Sequence, residues 1–379
     1  MNRAIGLIFC NYLSDSLQGI ARDRPVGAVP FGGRYRLLDF VLSSMVNSGL
    51  RTVGLVTPHH YRPIVDHLGA GKEWFLDRKA GGLFLLPGSN HVLAGKNIKF
   101  SLKDLQVNVE FLEKDYAEHV ILSGCNQVFN INFQKALEFQ NNKEADATLL
   151  YKVVTPDAPA SPGGLWLEAC GEGRAKKIFQ EGFEDFNPAP KRPKKPGKRF
   201  LDMLIIRRKL LMEIIAGCVD ETADLVEAIG ENLKSLKVYA YPHPGYWARI
   251  DSVYSYFRHN LELLDPKIRN ELFMGRDRIH TKIKDNPPAR YGSGAMVKNC
   301  LIASGCYIEG RVEKSIIFRE VQIDKGAQIK NAVVMQRCTI GKDVVLENVI
   351  LDKFVQIKDH TVLKGTRNYP VVLNKRSVV

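Results

Sequence analysis

The sequence predicts two architectures in one chain. Residues 1–256 read as an α/β domain with a mainly parallel, Rossmann-like sheet, residues 296–379 as a left-handed parallel β-helix of hexapeptide repeats, and residues 257–295 as a helix and linker between them. Three observations carry this reading. In the first part short β-rich runs alternate with helical patterns, as expected of parallel strands joined by helices that cover the sheet faces. In the last part helical periodicity stops and β-branched clusters recur on a fixed beat. The pair Pro287 and Pro288 falls between the two textures and marks a crossing between domains.

Taken in order, Ala4 to Phe9 is an apolar run suited to a buried strand. One Arg precedes it, and polar Asn11 follows with no small-residue cleavage site, so a strand is expected rather than a signal peptide. Asp39 to Ser48 places Val41, Leu42, Met45 and Val46 on one helical face, and Gly49 supplies the stop. Thr52 to Val56, His119 to Leu122 and Ala147 to Val154 read as further strands, with a helix over Phe133 to Phe139. Ligands of such sheets bind beyond the carboxyl ends of the strands, so the loops after Phe9, Val56 and Leu122 are where chemistry is expected.

From Val297 the beat is regular. Val312 to Ile317, Ile329 to Val334 and Leu346 to Leu351 follow one another at equal spacing, and Ile323, Ile340 and Ile357 repeat the same spacing in a second phase. Apolar positions five or six apart within each unit are those of a solenoid whose three short strands per coil each turn an aliphatic side chain inward. Val297 to Ile302, which precedes Val312 by a slightly shorter step, reads as an imperfect first coil.

With 379 residues, 45% hydrophobic and 25% charged, the chain has an ordinary globular composition, which excludes wholesale disorder, a coiled coil and a collagen-like fibre. No apolar run reaches the ~20 residues a membrane-spanning helix needs, and a cytoplasmic location is expected. Seven scattered cysteines without a C-x-x-C pair indicate reduced, mostly buried thiols rather than disulfides or a zinc site. The net charge of +13 is compatible with nucleic acid or with small phosphorylated ligands. Much of it lies in Lys191 to Arg199, which is broken by two prolines and a glycine and has no interleaved aromatic residue. That run is read as a solvated loop, and no nucleic-acid partner is expected. The adjacent His59 and His60 are assigned no metal.

Ala28 to Phe40 (A-V-P-F-G-G-R-Y-R-L-L-D-F) begins a series that continues through Asn47-Ser48-Gly49, Asp77-Arg78, Gly81-Gly82, Leu85-Leu86-Pro87, Leu122-Ser123-Gly124, Tyr246-Trp247 and Asn260 to Leu264. The series, with the β-helix behind it, resembles the bacterial ADP-glucose pyrophosphorylase (glucose-1-phosphate adenylyltransferase) family over essentially the whole chain. The resemblance implies a nucleotidyltransferase domain and a reaction that joins ATP and glucose 1-phosphate into ADP-glucose and pyrophosphate. That reaction needs glycine amides around the triphosphate, magnesium held by carboxylates, and a basic grip on the sugar phosphate.

The chain departs from the family at each of these points. The family's first loop, close to L-A-G-G-x-G-x-R-L, is here Leu7 to Ile20 without a glycine pair, and Phe9, Cys10 and Tyr12 would crowd the phosphates. The metal-binding Gly-Asp-His becomes Gly124-Cys125-Asn126, and a second family Asp falls on Arg249 of Tyr246 to Ser252; Asp251 would substitute only if the backbone slipped. The stretch Lys177 to Gly182 lacks the family's E-K-P lysine, the lysine before Ala28 is replaced by Val26 with Arg24 close by, and the sugar-pocket S-M-G is replaced near Phe200 to Asp202. Cys125 is expected to be a packing residue rather than a nucleophile.

The pattern resembles a GlgD-type regulatory subunit, inactive or weakly active alone. What the resemblance implies is a catalytic GlgC-type partner in a heterotetramer, no retained cofactor, and magnesium only in the partner; the flat coil faces and open strand edges of the β-helix suit it to the subunit contacts. Family effectors are sugar phosphates, and the segment with Arg24, Arg34 and Arg36 is the expected binding place; the plainer alternative is that these arginines pair with neighbouring carboxylates. Two other functions are weighed: an active glucose-1-phosphate adenylyltransferase with an unusual site, and a hexapeptide acyltransferase. The acyltransferase would need a catalytic His, and His360 stands alone in the β-helix.

Overall fold

The computed structural model describes residues 3–11, 15–89, 99–155, 164–180, 196–220 and 222–379. By its internal contacts the chain divides into two compact units, one of Met1–Leu13, Val41–Tyr61 and Leu68–Trp247, the other of Ser14–Phe40, Arg62–His67 and Ala248–Val379. Among the described residues no helix is long and apolar enough to cross a membrane.

The first unit is built on one sheet, nine-stranded among the described residues. Its order runs Ala175–Gln180, Leu165–Ala169, Gly197–Arg207, His119–Gly124, Ala4–Phe9, Thr52–Thr57, Gly82–Pro87. Ala147–Val154 lies on Gly197–Arg207, and Val238–Pro242 on Ala147–Val154. The strand Ala4–Phe9 is parallel to both neighbours, with Phe9 in register with Val56 on one side and with Gly124 on the other. The three carboxyl ends therefore finish side by side, and the loops expected to carry chemistry leave the sheet together. Ile5, Leu7, Phe9, Leu122, Leu149 and Leu204 are buried along these strands, each fully buried side chain contributing ~1.5–3 kcal/mol. Gly6 is where the covering helix comes closest: a Cβ there would lie 2.5 Å from the Met45 sulfur.

The helices start where their caps allow. Leu37–Asn47 begins two residues earlier than the apolar face alone indicates. The Asp39 carboxylate in its first turn accepts the Arg36 N–H at 2.9 Å, and Gly49, with φ of 85°, ends the helix as expected. Phe133–Asn142 is capped by Asn132 and runs about one turn past Phe139. The basic run needs a correction. Lys191 to Lys195 lie outside the described residues, but Lys198 and Arg199 are inside the strand Gly197–Arg207, not in a solvated loop. Arg199 is buried, its guanidinium 5.9 Å from the Trp166 ring centroid and 5.7 Å from that of Trp247. The aromatic partners are distant in sequence, which is why the run itself reads as solvated.

In the second unit, Pro30–Phe31 and Tyr35–Arg36 form a hairpin turned by Gly32 and Gly33, whose φ values of 60° and 85° favour glycine. The helix Val253–Glu262, opened by a Ser252–Ser255 capping box, fixes that turn. Asn260 accepts the Gly32 N–H at 2.9 Å and the Tyr256 hydroxyl donates to the Pro30 carbonyl at 2.8 Å. A second helix, Pro266–Phe273, stacks Phe273 on Tyr35 with centroids 4.9 Å apart.

The rest is a left-handed parallel β-helix. Strand pairing aligns Ile308, Ile323, Ile340 and Ile357 in one column, with a shorter first step and equal steps after it. Val312, Ile329 and Leu346 form a second column and Ile317, Val334 and Leu351 a third, all buried. The corners repeat as well. Asn299, Lys314, Asn331 and Asn348 all take left-handed backbone, φ between 48° and 52°, a region Asn tolerates best after Gly. Replacing Ile340 by Ala is expected to destabilise this unit by about 2–5 kcal/mol, because neighbouring coils cannot collapse onto the gap. Guanidinium unfolding followed by circular dichroism would measure it, and a change under about 1 kcal/mol would mean that the coils are loosely packed.

Candidate functional site

The aligned strand ends of the first unit carry side chains where phosphate chemistry needs bare backbone. Phe9 is buried with its ring edge-on to Phe100, centroids 5.1 Å apart. Cys10 and Cys125 follow Phe9 and Gly124 in the same register. The Cys10 N–H donates to the Val56 carbonyl at 2.8 Å and the Cys125 N–H to that of Phe9 at 3.2 Å, so both amides are used inside the sheet rather than aimed at a ligand. Both thiols are fully buried; burial first, and then the thiol contact with Cys125, pushes the Cys10 thiol well above its usual range. Asn11 is tied down by donating to the Asp104 carboxylate at 2.6 Å and to the Ser89 carbonyl at 3.0 Å. Tyr12, expected to crowd the same loop, lies outside the described residues, as does Gly182 at the end of the stretch that lacks the phosphate lysine.

Magnesium does not fit these residues. Cys125 and Asn126 offer it no carboxylate, and Asp104, the carboxylate bonded to Asn11, also accepts from the Ser89 N–H and from the Ser89 hydroxyl. Among the described residues no group of three or more His, Cys, Asp or Glu is disposed to hold a metal ion. In the second unit Arg249, buried, lies 3.8 Å from Asp251, whose own N–H donates to the Ser255 hydroxyl within the helix cap. Asp251 thus faces a cation. Asp202, at the place of the sugar-pocket motif, is buried with left-handed backbone, φ of 50°, and lies 3.5 Å from the buried Lys99.

The second unit contains a basic cleft of about 290 Å³. Arg34 and Arg36 of the hairpin line it, with Lys282 and Lys284 from the linker and Arg319, Arg337 and Lys353 from successive coil corners; Asp66 and Glu320 are its carboxylates. Seven basic side chains therefore face two acids, and one acid is occupied, since Glu320 accepts from Arg337 at 2.6 Å and is held below its usual range chiefly by that bond. Arg36 donates to the Pro63 carbonyl, and burial lowers it to about 10. Burial and then Arg34 lower Arg319. His67, on the cleft wall, is hydrogen-bonded at 2.6 Å to the fully buried Asp39, yet burial outweighs that carboxylate and keeps the ring pKa low. Such crowding of like charge is relieved by an anion, and guanidinium forks match phosphate oxygens in pairs.

Of the three arginines expected to act together, the structure brings two to the cleft. Arg24 is instead buried in a bidentate pair with Asp352, 2.9 and 2.7 Å, so the carboxylate-pairing alternative holds for it. Among the described residues Arg34 and Arg36 meet no carboxylate in that way; Arg34 lies over the Tyr35 ring at 5.5 Å. The coil residues were missed in sequence, although the fixed beat carries them. Arg319, Gln336 and Lys353 occupy equivalent places in three coils, as do Glu320, Arg337 and Phe354, the latter three with φ between 58° and 63°. One further expectation resolves simply: His360 is exposed at a coil corner, 3.8 Å from the exposed Asp343.

Residues 15–181 match the nucleotidyl transferase family, and residues 287–366 match the GlmU-like C-terminal hexapeptide family. A glycogen biosynthesis protein GlgD of Bacillus subtilis is 34% identical over 375 residues, covering 99% of this chain and 96% of its own length. The GlgD of Geobacillus stearothermophilus is also 34% identical, covering 100% of this chain and 97% of its own. A glucose-1-phosphate adenylyltransferase of Fervidobacterium nodosum is 30% identical over 95% of this chain and 85% of its own. Matched over 95–100% of its length by these proteins, the chain belongs to the ADP-glucose pyrophosphorylase family, among the GlgD-type glycogen biosynthesis proteins.

Proposed function

We propose that this chain is a catalytically degenerate regulatory subunit that modulates a catalytic GlgC-type glucose-1-phosphate adenylyltransferase, in a heterotetramer that makes ADP-glucose for glycogen. The observation that carries this reading is the row of buried side chains at the aligned strand ends. Phe9, Cys10 and Cys125 stand where a triphosphate needs glycine backbone and a metal needs a carboxylate. Relatives of similar length are named as adenylyltransferases, so loss of the chemistry with retention of the scaffold leaves assembly and regulation as the retained work.

The basic cleft supplies the regulatory input. An anion such as a sugar phosphate bound among Arg34, Arg36, Arg319 and Arg337 relieves their mutual repulsion and favours whichever conformation brings them closest. If that conformation differs in its fit to the catalytic subunit, binding is coupled to activity by ~1–3 kcal/mol, roughly a 5–150-fold effect.

Three outcomes are expected. ADP-glucose synthesis by the purified chain is at background, while co-expression with a catalytic subunit gives a mixed oligomer, sized by light scattering, with changed maximal rate or effector dependence; strong magnesium-dependent turnover by the chain alone would establish an active enzyme instead. Cys125→Asp combined with Arg249→Asp stays inactive, because the first loop still lacks its glycines, and a gain of turnover would refute that account of the loop. Arg34→Gln with Arg36→Gln lowers sulfate or sugar-phosphate affinity by about tenfold or more in calorimetry, and an unchanged affinity would remove the cleft from the mechanism.

A further inference from the structure

One side chain in the basic cleft differs from the other cations there. Lys353 lies at the coil corner directly after Asp352, whose Oδ1 accepts the Lys353 N–H at 2.7 Å while the same carboxylate holds Arg24. That carboxylate is thus committed to Arg24 and to backbone, and the Lys353 side chain is half-buried along the cleft wall beside Arg36. Burial, then the guanidinium groups of Arg36 and Arg24, push its amine down to about 7. Near neutral pH a large share of it is the free amine, against about one in 2,500 for an ordinary lysine. The cleft therefore combines fixed cations, which attract an anion, with a nucleophile that they help keep unprotonated.

We propose that Lys353 is a site of covalent acylation by small acyl phosphates, whose phosphate group docks on the guanidinium groups of the cleft and presents its carbonyl carbon to the Lys353 amine. The Nζ lone pair forms the new C–N bond, the bond from the acyl carbon to the phosphate oxygen breaks, and inorganic phosphate leaves with that electron pair. The amine proton passes to the departing phosphate, so an amine and an acyl phosphate give an amide and hydrogen phosphate with no change of oxidation state. Arg34, Arg36 and Arg319 neutralise the charge that gathers on the leaving group. The amide is bulkier than the amine and cannot take up a proton beside a bound anion, so acylation removes the charge that Lys353 would otherwise supply to that anion and weakens anion binding in the cleft. This inference rests on the reading of the cleft as an anion site.

The test uses the full-length protein and acetyl phosphate at neutral pH, with acetylation of each lysine followed by peptide mass spectrometry. Lys353 is expected to react about tenfold or more faster than the exposed Lys342 and Lys358. Sulfate, an anion that cannot acylate, protects Lys353 but not Lys342 and Lys358 outside the cleft, and Arg34→Gln with Arg36→Gln slows Lys353 but not those two. With an uncharged acetylating ester neither sulfate nor those substitutions matter. Equal or slower labelling of Lys353 overturns the proposal; if calorimetry still shows sulfate binding that Arg34→Gln weakens, the anion reading survives without it. Fast labelling of Lys353 that ignores both sulfate and the arginine changes overturns both, since the amine would then react without a docking site.

Discussion

A guanidinium taken out of water has to meet a carboxylate, and in this protein Arg24 meets Asp352. Both side chains are almost fully buried, and the two parallel bonds between them join a segment near the start of the chain to a coil corner of the β-helix far along it. Breaking such a pair by removing one partner costs ~3–5 kcal/mol, far more than the pair adds over an apolar replacement. Its importance here is positional. It anchors the strand that leads into the Gly32–Gly33 hairpin, and so decides where Arg34 and Arg36 stand relative to the corners that carry Arg319, Arg337 and Lys353. It also consumes the one carboxylate adjacent to Lys353 in sequence, which leaves that amine facing cations.

The β-helix supplies the other half of that arrangement. Parallel pairing at a fixed step stacks equivalent residues of successive coils, so any polar pattern with the same period becomes a surface. The columns of isoleucine face inward, while the corner residues Arg319, Arg337 and Lys353 line the cleft. Charge written once per coil is thereby gathered within one cleft without any loop having to place it.

Much of this was legible in the sequence. Ala4–Phe9 runs as its apolar pattern indicates, because a buried strand parallel to both neighbours needs an uninterrupted apolar run; Ala147–Val154, antiparallel to Gly197–Arg207, is fully buried only over its first half. The solenoid is legible because its period is strict. The departures at Cys125 and Arg249 are legible as well, since Leu122-Ser123-Gly124 and Tyr246-Trp247 of the resembling motifs stand beside them. Arg24 was less so: its carboxylate lies 328 residues away, and sequence proximity to Arg34 and Arg36 says nothing about that. Arg199 failed for the same reason, its two tryptophans coming from other strands. Arg319 and Lys353 were present in the repeat, but the repeat was read for its aliphatic positions, and only folding shows which corners face the hairpin.

The packing at the strand ends also bears on how such a chain changes over generations. Phe9 fills space against Phe100, and Cys10 and Cys125 lie fully enclosed beside it. Each is now part of the core. Trading Phe9 for the glycine a phosphate loop requires would remove a large buried ring, a loss of ~3–5 kcal/mol, on the order of a third or more of a typical domain's stability. If the chain is catalytically degenerate as proposed, no single such step supplies the glycine loop and the metal carboxylates together, so each intermediate is less stable with no activity gained. On that reading the packing at the strand ends works as a ratchet held in place by the hydrophobic core.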